Sequence, residues 1–165
     1  MKICSIFLIS VFFVSYFSMN VYAQDTKSSD DKIKTGVIKV YDIFNKGDFS
    51  SLGDFIDDNM VDHSPSPGQK PGLQGLKDEM EKLRKAYPDL NFAINDMIIS
   101  GDKASVLFTF SGTNTGEMMN MKPTGKKVSV QGIDYIYFKD GKASEHWGYL
   151  DMDALMQQLG YNQQK

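Results

Sequence analysis

Two residues with acid–base chemistry, Asp134 and His146, stand inside apolar, strand-forming stretches in the second half of the chain. A carboxylate surrounded by isoleucine and tyrosine has its charged form destabilised, which suits a general acid or base near neutral pH. The imidazole of a histidine titrates close to neutrality. The two residues therefore predict an acid–base pair. In the structural alternative, Asp134 bonds to a neighbouring strand or a tyrosine hydroxyl, and His146 is hydrogen-bonded at the rim of the sheet or holds Trp147 in place.

The other histidine, His63, stands just before a loop rich in proline and glycine at residues 65–72. Such loops often border a pocket, so His63 is predicted to be an auxiliary residue at its mouth, or else a surface histidine beside Asp62. The two histidines lack metal-ligand spacing. No nucleophile elbow, phosphate-binding loop or dinucleotide-binding fingerprint occurs in the sequence. The sequence thus predicts neither a metal nor a cofactor.

Alternating apolar residues and tight turns predict four strands, and helical spacing predicts three helices before them and a short one after them. Segregated helices and hairpins indicate an α+β fold. A curved antiparallel sheet wrapped around a long helix would form a cone with an open mouth that can hold a ligand. The predicted strands are Asn91–Ser100, Lys103–Gly112, Lys127–Lys139 and Ala143–Leu150, and the predicted helices begin near Ile33, Asp48, Gly75 and Asp151.

Strand periodicity assigns these residues to faces of the sheet, because successive side chains point to opposite sides. His146 is expected on the pocket face with Ser144, Gly148 and Asp134, and Glu145 on the other face. Aromatic and methionine side chains are expected to line the pocket for an apolar ligand. These residues are Phe108, Phe110, Tyr135, Trp147, Met118 and Met119. The alternative for the methionines is a loop that packs on the sheet edge or on a second subunit.

The first 23 residues are typical of a cleaved signal peptide, with Lys2 before an apolar run and Val21-Tyr22-Ala23 as the cleavage site. The sequence predicts export to a bacterial periplasm or beyond it, a flexible leader at residues 24–31 and one domain over residues 32–165. Cleavage removes Cys4 and one lysine, so the formal net charge of −3 becomes −4. This mild acidity argues against a nucleic-acid partner, and cleavage leaves no predicted membrane anchor.

Several short motifs occur in an order that resembles the SnoaL-like polyketide cyclases, most closely their ester cyclase branch. The motifs are Tyr87 to Leu90, Gly101 to Lys103, Ser111 to Gly116, Lys122 to Val128, Gly141 to Trp147 and Gln157 to Gly160. The resemblance covers about residues 37–160. It implies the fold of nuclear transport factor 2 and ketosteroid isomerase, also called cystatin-like. It also implies a deep apolar pocket and aldol ring closure by an acid–base pair without a metal or cofactor.

The resemblance departs at the positions that it implies are catalytic. It places Asp134 where studied cyclases carry a histidine, and Gly148 where they carry an aspartate. One hypothesis is an exported, cofactor-free enzyme that cyclises, isomerises or hydrates a small apolar carbonyl compound. In it Asp134 is the base, His146 the acid or oxyanion donor, and His63 an auxiliary. The second is a non-catalytic binding protein of the same fold. A third is an interaction domain that forms a homodimer through the open sheet face.

Overall fold

The computed structural model describes residues 29–161 and places three helices around one sheet. The predicted signal peptide and residues 24–28 of the predicted leader lie outside the described residues, whereas residues 29–31 are helical. The helices are α1 (residues 29–46), α2 (Gly72–Ala86) and α3 (Met152–Leu159), and the strands are β1 (Ile56–Asp62), β2 (Asn91–Ser100), β3 (Lys103–Thr113), β4 (Lys127–Lys139) and β5 (Lys142–Leu150). Within residues 29–161, no helix is both long and apolar enough to cross a bilayer.

The five strands form a single sheet in the order β1-β5-β4-β3-β2. The predicted α+β fold is confirmed, and each of the four predicted strands begins and ends within one residue of its observed bounds. Two details of the prediction are corrected. The sheet is not wholly antiparallel, because β1 pairs in parallel with β5. The predicted second helix is a single 3-10 turn, Leu52–Asp54, and Ile56 already belongs to β1.

Two bulges help the sheet to curl around α1. One lies between Ile94 and Asp96 of β2, and the other makes Ser144 an extra residue in β5. A bulge bends its strand and increases the local twist. The second bulge also changes the predicted alternation, because Ala143 rather than Ser144 shares the concave face with His146.

The core lies between α1 and the concave face of the sheet. Val37 and Tyr41 of α1 are buried, as are Val106 and Phe108 of β3. The Tyr41 ring packs edge-on against the Phe108 ring, with 5.9 Å between the ring centroids. Every second residue of β3 is buried, as expected for a strand whose side chains alternate between the two faces of the sheet.

Both ends of the helical layer are fixed by local interactions that the sequence predicts. Gly47 ends α1 with a φ of 75°, a left-handed conformation in which glycine pays no steric penalty. Asp151 caps α3 by accepting a hydrogen bond from the Ala154 backbone N–H at 2.9 Å. The α3 helix then buries Leu155 and Leu159 in the core. These two leucines hold α3 against the sheet.

Candidate functional site

A cavity of about 160 Å³ lies between α1, α2 and the concave face of the sheet. Its walls are mostly aliphatic and aromatic side chains, and among the described residues the polar side chains that line it are Tyr41, Asp134 and His146. The apolar lining includes Val37, Val40, Phe44, Phe55, Met60, Leu76, Met80, Phe92, Phe108, Ile136 and Phe138. An apolar cavity of about 150 Å³ can hold a benzene molecule, so this one accommodates a group of about one ring.

The polar groups of the cavity form one connected cluster. Tyr41 donates its hydroxyl hydrogen to Asp134 Oδ2 at 2.6 Å. The ring of His146 lies between two carboxylates, with Nε2 at 3.2 Å from Asp134 Oδ1 and Nδ1 at 3.4 Å from Asp62 Oδ1. The structure thus brings Asp134 and His146 together, as the acid–base interpretation requires, and it also gives Asp134 the tyrosine hydroxyl that the structural alternative expects.

His146 lies on β5, and the other three members of the cluster come from three different elements. Asp134 comes from β4, which pairs with β5 on one side, and Asp62 ends β1, which pairs with it on the other. Tyr41 comes from α1, which crosses the concave face. The cluster therefore depends on the tertiary fold, and no short segment of the chain contains it.

Asp62 is held as a carboxylate behind the imidazole. Burial raises its pKa, but hydrogen bonds from His146, the Gln69 side chain and the Ser64 backbone N–H outweigh burial and lower the pKa to about 2. The Gln69 and Ser64 bonds measure 2.8 and 3.0 Å. Asp62 is therefore a fixed negative partner that orients the His146 ring.

His146 is an imidazolium at neutral pH. Burial lowers its pKa, but the hydrogen bonds and negative charges of Asp134 and Asp62 outweigh burial and raise the pKa to about 9. Burial, together with the charge and hydrogen bond of Asp134, raises the pKa of Tyr41 well above its usual range. Hydrogen-bond donors thus face Asp134 from two sides, and a positive charge lies beside a carboxylate in a largely apolar cavity.

His63 lies outside this cluster. Its ring stacks on Trp147 with 3.9 Å between centroids, and its Nε2 lies 2.7 Å from Glu145 Oε2. Glu145 and Trp147 flank His146 in β5 and occupy the opposite face of the sheet. The expected auxiliary position at the pocket mouth is therefore corrected, because His63 belongs to the outer surface of the sheet.

Of the six residues expected to line the pocket, Phe108 lies in the cavity wall and five lie elsewhere. Tyr135 and Trp147 contact each other on the outer face, with 5.8 Å between centroids. Phe110 is buried against Tyr87, beyond the end of the cavity. Met118 and Met119 belong to the link between β3 and β4, and neither lines the cavity. Alternation fixes a residue's face, whereas position along the strand decides whether it reaches the cavity.

Sequence reasoning missed Tyr41 and Asp62 as site residues. Tyr41 was recognisable as part of the buried stripe of α1, and a tyrosine in such a stripe needs a partner for its hydroxyl. The sequence shows Asp62 only as a neighbour of His63, because its contact with His146 spans 84 residues of sequence. Among residues 29–161, no group of three or more His, Cys, Asp or Glu side chains has an arrangement that could hold a metal ion.

Comparison with known proteins agrees with this architecture. The sequence model of the SnoaL-like polyketide cyclase family matches residues 36–159, most of the chain. The chain belongs to the SnoaL-like polyketide cyclase family. Over 49 residues it is 39% identical to the aklanonic acid methyl ester cyclase AcmA of Streptomyces galilaeus, a match that covers 30% of this chain and 34% of that relative. The chain therefore matches about a third of the length of this curated relative.

Solved structures resemble most of the chain. TsrD from Streptomyces laurentii superimposes with a TM-score of 0.75 at 26% identity, covering 80% of this chain and 97% of TsrD. A SnoaL-like polyketide cyclase from Agrobacterium tumefaciens superimposes with a TM-score of 0.67 at 26% identity, covering 78% of this chain and 98% of the other. The predicted family resemblance is therefore confirmed.

Proposed function

We propose that this SnoaL-like protein binds a small, neutral, apolar carbonyl compound and catalyses a cofactor-free acid–base reaction on it. The contact between Asp134 and His146 inside the apolar cavity carries the proposal. The reaction would be a cyclisation, isomerisation or hydration, each of which can involve proton transfer at a carbon beside a carbonyl. Family membership supports small-molecule binding and is consistent with cyclase chemistry.

The first step is proton removal by Asp134. The carboxylate of Asp134 accepts a proton from the carbon next to the carbonyl, the C–H bond breaks, and its electron pair forms an enolate. His146, protonated at neutral pH because its pKa is about 9, donates a hydrogen bond or proton to the developing oxyanion. Tyr41 orients Asp134 through the 2.6 Å hydrogen bond. Asp62 keeps the imidazolium in place behind the reacting groups.

Hydrogen–deuterium exchange tests this step without knowledge of the final product. Acetophenone and related aryl ketones place one ring and one carbonyl in a cavity of about 160 Å³. The wild-type protein in D₂O should accelerate loss of the α-proton NMR signal. Asp134→Asn should reduce that acceleration at least about 100-fold, since a general base contributes about 10²–10⁴.

The matched control is Asp58→Asn, which changes an exposed aspartate on β1. This variant should exchange the α-protons at the wild-type rate. Equal acceleration by the wild-type protein and Asp134→Asn would remove Asp134 from the mechanism. If the ketone binds but its α-protons exchange at the uncatalysed rate, the second function described below is favoured.

The second candidate function is binding of the same class of molecule without turnover. The observation that favours it is Gly148, which occupies the position that the resemblance matches to the catalytic aspartate. Both ring nitrogens of His146 are also already engaged by carboxylates. Native mass spectrometry of the purified protein distinguishes the two functions: a retained ligand that stays chemically unaltered after long incubation supports binding alone, and its conversion supports catalysis.

Export and self-association complete the proposal. Mass spectrometry of the mature protein from a bacterial host should find Gln24 at the N-terminus, and an intact Met1 would contradict export.

We also propose a homodimer through the outer face of the sheet, where Ile133, Tyr135 and Tyr149 are exposed. Large exposed apolar patches commonly mark interaction sites. Size-exclusion chromatography with light scattering should give twice the chain mass, and a strict monomer contradicts the dimer.

A further inference from the structure

We propose that Gly148 is a positioning residue of the acid–base pair, because its missing side chain leaves the space through which the His146 ring reaches Asp134. The inference rests on the proposed function of that pair. Its test measures the imidazole itself and needs no substrate, so the two proposals can fail separately.

The register of β4 and β5 shows why space is needed. Asp134 lies directly opposite Gly148, while His146 lies opposite Ile136. Asp134 and His146 are therefore diagonal neighbours, which in an antiparallel pair have Cα atoms about 7–8 Å apart. The imidazole closes this gap by leaning along the strand over Gly148, and its Nε2 comes within 3.2 Å of Asp134 Oδ1.

A side chain at position 148 would occupy the same space as the ring. A Cβ atom built on Gly148 lies 2.8 Å from His146 Cε1, 3.2 Å from His146 Nε2 and 3.3 Å from Asp134 Oδ1. The first distance is shorter than real Cβ atoms show. The obstructing atoms belong to the end of a rotatable side chain, so an added methyl group displaces the imidazole rather than the strand.

The backbone gives no other reason for glycine here. Within residues 29–161, seven glycines have a positive φ, and Gly148 is not among them. Its N–H donates to Ser64 Oγ at 2.7 Å, a bond that alanine also makes. Glycine inside a strand weakens it and often marks a close approach of another group. In β5 that group is the His146 ring.

The pKa of His146 depends on where its ring lies relative to the charged groups around it. Asp62 faces it from β1 and Asp134 from β4, and Tyr41 of α1 bonds to the far oxygen of Asp134. These carboxylates, through hydrogen bonds and charge, are what raises the pKa of His146 against the effect of burial. Displacing the ring therefore lowers that pKa.

The test follows the imidazole C2–H signals by NMR across neutral and alkaline pH. The chain has two histidines, so His63 serves as an internal reference. In the wild-type protein His146 should titrate near 9. In Gly148→Ala its pKa should fall toward the ordinary value of about 6.5. A pKa that stays near 9 in Gly148→Ala overturns the proposal.

The matched control is Gly36→Ala, which adds a methyl group to the same cavity from α1. Its Cβ lies 3.7 Å from Phe55 Cδ1, an ordinary contact, and no His146 atom lies among its close neighbours. The His146 pKa should remain near 9 in this variant. A fall as large as that in Gly148→Ala would mean that any added cavity volume disturbs the ring, and would overturn the specific role of position 148.

A double variant keeps the proposal testable if Gly148→Ala folds poorly. His146→Ala removes the ring, so position 148 should then accept an added methyl group. Gly148→Ala should therefore lower the denaturation midpoint of the wild-type protein, but leave the midpoint of His146→Ala unchanged or higher. An equal loss in both backgrounds shows that Gly148 serves the fold rather than His146, and overturns the proposal.

Discussion

The pH dependence of stability should reveal the two carboxylates that surround His146. In the folded protein they raise its pKa from 6.5 to about 9. A group whose pKa is higher in the folded state stabilises it at low pH, because folding then favours the bound proton. The contribution is fully present below pH 6.5 and disappears as the pH rises through about 9. The perturbation that isolates it is His146→Gln, which removes the titrating group.

The magnitude follows from the size of the shift. One pKa unit corresponds to about 1.4 kcal/mol, so the rise of His146 from 6.5 to about 9 corresponds to about 3 kcal/mol in the free energy of unfolding. The residue is largely enclosed, with 23% of its side chain exposed, so solvent screens the interaction only in part. A loss of about 3 kcal/mol is a large share of the 5–15 kcal/mol that stabilises typical domains.

Urea unfolding at pH 6 and pH 9.5 measures this loss. The wild-type protein should lose about 3 kcal/mol more than His146→Gln between the two conditions. His63→Gln, which removes the histidine on the outer face of the sheet, should keep the wild-type decline. If His146→Gln declines as steeply as the wild-type protein, the carboxylates do not hold a proton on His146 and the argument for an imidazolium in the cavity is refuted.

Three further predictions concern the cavity. Tyr41→Phe removes the hydrogen bond to Asp134 and should lower the free energy of unfolding by about 2 kcal/mol in urea titrations; an unchanged value would show that water replaces the hydroxyl without cost. Val40→Phe places a ring in the cavity of about 160 Å³ and should abolish acetophenone binding in NMR titrations while the circular dichroism spectrum is retained, whereas undiminished binding would place the ligand elsewhere. Acetophenone should bind at least about tenfold more tightly than benzoate at neutral pH, because the two carboxylates and one imidazolium give the polar end of the cavity a net negative charge. Two like charges 4 Å apart repel each other by about 4 kcal/mol near a protein surface. Equal affinities of acetophenone and benzoate would contradict this charge assignment.

Local sequence signals determined most of the fold. Apolar alternation and the Gly101-Asp102 and Asp140-Gly141 turns were sufficient for the four antiparallel strands, because hairpins pair residues that are close in sequence. The cap at Asp151 and the glycine at position 160 were sufficient for α3. The parallel pairing of β1 with β5 was missed, since partners more than 80 residues apart share no local pattern.

The candidate site could be predicted only in part, because local sequence patterns do not encode contacts between residues that are distant in sequence. Alternation was enough to predict Asp134 and His146 on one face, and the structure places them in one cavity. The same alternation puts Trp147 and Tyr135 on the opposite face, so their aromatic character was a misleading guide to the lining. Tyr41 and Asp62 reach the site through the packing of α1 and the pairing of β1, which no periodicity encodes.

Because β1 lies at the sheet edge, the two carboxylates that contact His146 come from strands of different stability. Asp134 reaches His146 from an interior strand only 12 residues away, whereas Asp62 is delivered by an outermost strand that has a single neighbour in the sheet. Edge segments open locally at lower free energy than the centre of a fold. Transient fraying of β1 would therefore withdraw one carboxylate from the imidazole and leave the other in place, so the charge state of the cavity is coupled to the pairing of an edge strand that also supplies Met60 to the cavity wall.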